Sequence, residues 1–171
     1  MRTLFLDFDG PLHPITAIEG LVPSAGLLSS DVVRTHGLFR WVDKLDQALA
    51  GHDDVAIVVH SAWASYASNQ ELRQVLGPLA SRFVGITPRD QERWPGIREV
   101  VERFGIETYR VLDDAVHRFP ADLPELIAVD PLLGLSEDAP LKALRTWLKE
   151  SAVAVLEESC GTPSRPQGLG G

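Results

Sequence analysis

The sequence predicts a three-layer α/β fold, with helices on both faces of a central parallel sheet. Three observations predict it. Short apolar runs alternate with stretches of helical periodicity along most of the chain, the pattern of strand–helix–strand units joined by right-handed crossovers. Val55-Ala56-Ile57-Val58-Val59 is an unbroken apolar run rich in β-branched residues, which suits a strand buried on both faces. Several of these runs end in acids or a hydroxyl, and ligands of open α/β sheets bind beyond the carboxyl ends of the strands.

Thr3 to Leu6 is the first strand, halted at Asp7-Phe8-Asp9-Gly10. Residues 11–30 carry Pro11, Pro14, Gly20, Pro23 and Gly26 and read as a loop, too short for an inserted domain. Asp31 is placed to cap a helix whose apolar face holds Val32, Val33, Leu38, Phe39, Val42, Leu45 and Leu49. Gly51 ends that helix. After the Val55–Val59 strand a helix runs from Asn69 to Leu76, stopped by Gly77-Pro78. Arg82 to Ile86 is the third strand, broken by Thr87-Pro88. A helix from Pro95 to Phe104 follows, because Pro is favoured in a first turn. Tyr109 to Leu112 and Leu126 to Val129 complete the strands. The last helix starts at Asp138 and continues past Trp147 towards Glu157.

The 171 residues fit one domain, and 44% hydrophobic with 23% charged residues is a globular balance. The domain is expected to cover residues 1–157, and the Gly-, Pro- and Ser-rich stretch 158–171 to lack order. A formal net charge of -8 argues against a broad basic surface, though not against a local patch. The single cysteine, Cys160, rules out a disulfide within the chain and suits a reducing compartment. The first apolar run is too short for a signal peptide, and no run reaches the roughly 20 apolar residues of a membrane span. A cytoplasmic, membrane-free protein is expected.

The chemistry concentrates at the strand ends. The first strand delivers Asp7 and Asp9, the second Ser61, and the fourth Asp113 and Asp114. If the first strand continued through Asp9, both carboxylates would share one side, and Gly10 would let the backbone turn behind them. Clustered carboxylates raise one another's pKa unless a cation sits among them. A hard divalent cation with oxygen ligands resolves that, and magnesium characteristically takes one or two carboxylates plus phosphate oxygens.

Leu4-Phe5-Leu6-Asp7-Phe8-Asp9-Gly10 resembles the first motif of the haloacid dehalogenase (HAD) superfamily. The resemblance implies a Rossmann-like HAD fold, here without a substantial cap domain. It implies a magnesium-dependent phosphomonoester hydrolase in which Asp7 is the nucleophile, forming an aspartyl-phosphate, and Asp9 is the general acid and base. Ser61, ending Val58-Val59-His60-Ser61, fits the second motif and would bind the phosphoryl group with Gly10. Asp113 and Asp114 fit the acidic fourth motif and would complete a metal site with Asp7 and the backbone carbonyl of Asp9. Asp114 is the preferred one of the pair. The cationic third motif falls on Arg89, Arg93 or Arg98, and Arg93 is preferred for its place beside Trp94-Pro95 at the helix start.

Leu12-His13-Pro14, Ser61-Ala62-Trp63 and Val111-Leu112-Asp113-Asp114 resemble, more narrowly, a small branch of the superfamily similar to phosphatase domains of nucleic-acid repair. That branch carries Arg after the Trp, where this chain has Ala64. Without a cap, the expected substrate is phosphorylated and macromolecular, a nucleic-acid end or a phosphoprotein, with the loop after Pro11 as a minimal flap. The alternative is a catalytically silent domain that binds a phosphorylated partner. A receiver-like signalling domain fits poorly, because its phosphoacceptor should follow the third strand. A dehalogenase fits poorly, because it needs no metal and lacks the second Asp. We read His13 as a loop residue, His60 as packing near a strand end, Trp41 and Trp147 as core, Asp130-Pro131 as a turn, and Trp63 as the aromatic best placed to touch substrate.

Overall fold

A computed structural model describes residues 1–21 and 29–159, with the side chains of Ser30 and of 151–159 left aside. Pro23 and Gly26 of the expected loop, Cys160 and the rest of the C-terminal tail lie outside the described residues. The elements are β1 (Arg2–Leu6), α1 (Ser30–His36), α2 (Val42–Leu49), β2 (Val55–Val59), α3 (Asn69–Val75), β3 (Phe83–Ile86), α4 (Arg93–Phe104), β4 (Tyr109–Asp113), β5 (Leu126–Ala128) and α5 (Asp138–Ser159). Among the described residues no helix is long and apolar enough to cross a membrane.

The five strands form one parallel sheet in the order β3-β2-β1-β4-β5. Alternation along the strands splits the core in two. Leu4 and Leu6 of β1, with Val55, Ile57 and Val59 of β2, face a layer holding Leu45, Leu72, Leu144 and Trp147. Phe5, Val58 and Val111 face the opposite way and pack on Ile97 and Val100 of α4. From β1 the chain steps outward to β2 and β3, then crosses back over β1 to β4 and β5. Right-handed crossovers put the helices of the two directions on opposite faces. The reversal falls beside β1, which opens a crevice at the carboxyl ends of β1, β2 and β4.

One expected helix is two. The periodicity from Asp31 to Leu49 is interrupted at Gly37, which caps α1 in the left-handed conformation, and α2 starts only at Val42. Phe39 in the link also has positive φ, at 57°. The apolar pattern persists across the break because both segments bury the same face, so periodicity alone does not reveal it. A capping box at Ser68 and Glu71 starts α3.

Where the loop after β1 begins it is packed down, not free to move as a flap. Pro11, Leu12 and His13 are buried. Their backbone is stitched in place by Leu12 N–H donating to Phe8, Trp41 N–H to Leu12 and Leu135 N–H to Pro11 carbonyls, at 2.9, 3.0 and 3.2 Å. No inserted domain lies between β2 and β3, where α3 is accompanied only by short 3₁₀ turns.

Candidate active site

β1 ends at Leu6, so Asp7 is the first residue past the central strand, anchored by its N–H to the Leu112 carbonyl at 3.1 Å. Its side chain is fully buried. One carboxylate oxygen accepts the Phe8 N–H at 2.8 Å, and the other accepts from Arg93. The same Arg93 nitrogen also donates to Asp113, which is equally buried. A single guanidinium thus bridges the ends of β1 and β4.

That cation does not neutralise the site. Burial raises the Asp7 carboxyl to about 7, Arg93 opposes this, and the charges of Asp113 and Asp9 add to the rise. Half-buried Asp114 is also pushed up, first by burial and then by Asp113. For Arg93 burial works against the charge, but Asp7 and Asp113 more than offset it and hold the guanidinium protonated. Carboxylate oxygens of Asp7, Asp113 and Asp114 lie within 4.8 Å of one another, a grouping able to hold a metal ion.

Gly10 is required by close approach. Its φ is 84°, and a Cβ there would come within 2.6 Å of Asp114 Cγ. Gly134, after β5, presses on the same loop from behind. A Cβ on it would fall 2.1 Å from the Gly10 carbonyl oxygen and against Trp41. Sequence reasoning passed over Gly134. Its only signal is a glycine in the turn after a strand, which many loops share.

Ser61 follows β2 and its hydroxyl is buried without a hydrogen bond of ordinary geometry, although it lies close enough to Asp7 to favour the charged carboxylate. His60 beside it is also buried, with neither ring nitrogen in a hydrogen bond of ordinary geometry. Its Nδ1 is 3.6 Å from an Asp113 oxygen and its ring meets Phe119 edge-on. Burial depresses His60 to about 4, so the ring is neutral. These two residues line a cleft of about 220 Å³ together with Arg89, Arg93 and Arg118. A larger groove of about 880 Å³ beside β3 and α4 is lined by none of Asp7, Asp9, Asp113 and Asp114.

Of the three candidate arginines, Arg93 reaches the carboxylates. Arg89 donates to the Ala67 carbonyl at 3.3 Å, and Arg98 pairs with Glu102 on the exposed side of α4. The charge of Asp9 reaches Asp7 and Asp114, but its side chain supplies no oxygen to their grouping. The strand ends at Leu6 and does not continue through it, and its side chain is hydrogen-bonded to Trp63 and His13. Trp63 is buried, its indole N–H committed to Asp9, so it offers no free face to a substrate. His13 lies in the loop after β1, as expected, and is fully buried. Trp41 and Trp147 are core, and Asp130 caps a turn through the N–H groups of Leu132 and Leu133.

Residues 3–139 match a protein family described as the HAD domain in Swiss Army Knife RNA repair proteins. No curated protein and no solved structure gives a match.

Proposed function

The chain belongs to the family of HAD domains in Swiss Army Knife RNA repair proteins, and on that premise we propose that it is a magnesium-dependent phosphomonoester hydrolase working through an aspartyl-phosphate on Asp7. The observation that carries this reading is the buried Asp7 carboxylate at the end of the central strand, grouped with Asp113 and Asp114 and touched by Arg93.

The donor set suits magnesium: three carboxylates supply hard oxygen ligands, and one guanidinium leaves them short of positive charge. Asp7, Asp113 and Asp114 would hold the ion, with the Asp9 carbonyl as the further donor that the family resemblance implies. Bound there, it would draw negative charge from the phosphate oxygens.

Asp7 attacks phosphorus in line as the bond to the leaving oxygen breaks. Asp9 gives its proton to that oxygen. Asp9 then takes a proton from the water that cleaves the aspartyl-phosphate, and Asp7 is regenerated. Arg93 offsets charge on the transferring group, while the Ser61 hydroxyl and the amide of Gly10 bind its oxygens. The buried Ser61 Oγ, which makes no hydrogen bond of ordinary geometry within the protein, supports that role.

The substrate we favour is a phosphorylated nucleic-acid end. The description of the family supports it, as do the arginines lining the open cleft despite the chain's net charge of -8. Hydrolysis of an aryl phosphate and of a phosphate-ended oligonucleotide, each with magnesium or with chelator, tests the reading. Asp7→Asn should lower turnover by about 10⁴-fold or more, the scale of losing a nucleophile. Undiminished turnover in that variant would remove Asp7 from its role.

A further inference from the structure

Asp9 is held by a relay that neither the family match nor the metal grouping accounts for. Its Oδ1 accepts two hydrogen bonds, from Trp63 Nε1 at 2.7 Å and from His13 Nε2 at 3.0 Å. The His13 tautomer is set from behind, where the Phe39 N–H donates to Nδ1 at 3.2 Å. A nitrogen that accepts there carries no proton, so the ring proton sits on Nε2 and points to Asp9. Phe39 delivers its N–H from a left-handed backbone conformation, φ 57°, uncommon for an aromatic residue. The ring of His13 is clamped edge-on by Phe39 and by Trp63, with centroids 5.2 and 6.1 Å away. Two elements distant in sequence, the loop after β1 and the turn after β2, thus converge on one carboxylate oxygen. Oδ2 accepts no hydrogen bond among the described residues.

We propose that Trp63 and His13 are positioning residues that tie down Oδ1 of Asp9 and reserve Oδ2 as the oxygen that carries the catalytic proton. The inference rests on the reading of Asp9 as general acid and base. Two donors occupy Oδ1, so Oδ2 is the oxygen left free to exchange a proton with the leaving group. That proton passes to the leaving oxygen as its bond to phosphorus breaks and the Asp7–phosphorus bond forms. The same oxygen later receives the proton of the attacking water. A carboxylate fixed by two donors need not search for its geometry, which is the advantage of a base or acid oriented by a third group.

The dependence on the leaving group tests this. A nitrophenolate departs with little help from an acid, whereas an alkoxide needs its proton. The full chain with magnesium is assayed on p-nitrophenyl phosphate and on glycerol phosphate. For Trp63→Phe, which keeps a ring but removes the N–H, kcat/KM, which reports the step that expels the leaving group, should fall about 10- to 100-fold more on the alkyl than on the aryl ester, up to the lower end of acid–base effects. His13→Leu should show the same selective loss, and His13→Gln, which retains a donor near the Nε2 position, should recover part of it. If His13→Leu fails to fold by circular dichroism, Trp63→Phe alone decides. Equal losses in kcat/KM on both esters mean a merely structural role and overturn the inference. An Asp9→Asn variant without leaving-group selectivity, in an otherwise active enzyme, overturns the general-acid reading instead. A wild type inactive on both esters overturns the proposed function and the inference with it.

Discussion

Strand β1 has a buried charge at each end, and the two ends are built on opposite principles. At the start, the Arg2 guanidinium is surrounded. Nε and Nη2 meet the two Asp54 oxygens at 2.7 Å, Nη1 donates to the Leu148 carbonyl at 2.6 Å, and the group lies 5.8 Å from the Trp147 ring centroid. The hydrogen bond from Arg2 holds the Asp54 carboxyl below its ordinary range. Just past the other end, Asp7 and Asp113 share one arginine, burial drives Asp7 up to about 7, and the neighbouring side chains of His60 and Ser61 make no hydrogen bond of ordinary geometry. The start of the strand closes its polar groups within the protein. The far end leaves charge and hydrogen-bonding capacity unspent, which is what a site for a ligand requires.

Removing the cation should have the largest effect on this contrast. Arg93→Met leaves two fully buried carboxylates without a counter-charge, and breaking a buried pair in this way costs about 3–5 kcal/mol. Urea unfolding in the presence of chelator measures it. Magnesium should recover more stability in the variant than in the wild type, because the ion then faces an unopposed acidic group. An unchanged urea midpoint in chelator would mean that the acids are neutralised by proton uptake, and that Arg93 is not their counter-charge.

The pH dependence of the metal-free protein sharpens the comparison further. Asp7 has a folded pKa of about 7, raised from 3.8. Its proton stabilises the folded state fully below the unfolded value and is lost as pH rises through 7. His60 has a folded pKa of about 4, lowered from 6.5. It favours unfolding as pH falls from 6.5 through 4, because the unfolded chain takes up the proton first. Between those limits the folded chain gains one proton at Asp7 while the unfolded chain gains one at His60, and the two contributions cancel. Each variant should therefore uncover a slope of about 1.4 kcal/mol per pH unit. In Asp7→Asn stability should rise with pH, and in His60→Phe it should fall. Denaturant midpoints in chelator across this interval read both signs, and two flat profiles would show that neither group is perturbed by its surroundings.

Much of this architecture was legible in the sequence, for identifiable reasons. The strands are short apolar runs ended by turn residues, and burial on both faces selects for that composition, so Thr3–Leu6 and Val55–Val59 coincide closely with β1 and β2. The strand ends that carry Asp7, Ser61 and Asp113 follow from the same runs. The link from Gly37 to Trp41 was hidden because an amphipathic pattern survives a break when both halves cover the same core. The surroundings of Asp9 were hidden for a different reason. A hydrogen bond between Trp63 and Asp9 spans two strand ends, and an indole in a turn reads equally as a surface platform until the tertiary packing buries it. Gly134 belongs with these: the crowding it relieves lies on Gly10, across the fold.

The smallest expected effect lies at the start of β1. The Asp54 side chain is 49% exposed, so water screens its pairing with Arg2. Asp54→Asn should cost under about 1 kcal/mol at neutral pH, since Arg2 keeps the Leu148 carbonyl and the substituted amide still offers one acceptor. Because the folded pKa is lowered, this contribution is present above the ordinary value of 3.8 and disappears as pH falls below it. Wild type and variant should therefore converge in acid, which guanidinium midpoints at neutral and acidic pH will read. A loss as large as that of Arg93→Met would place the two ends on equal footing, with the start of β1 as dependent on a single ion pair as the site. A small loss that vanishes in acid supports the other view: where a buried charge has several partners no single one is critical, and where two acids share a single cation the shortfall is left for a ligand to fill.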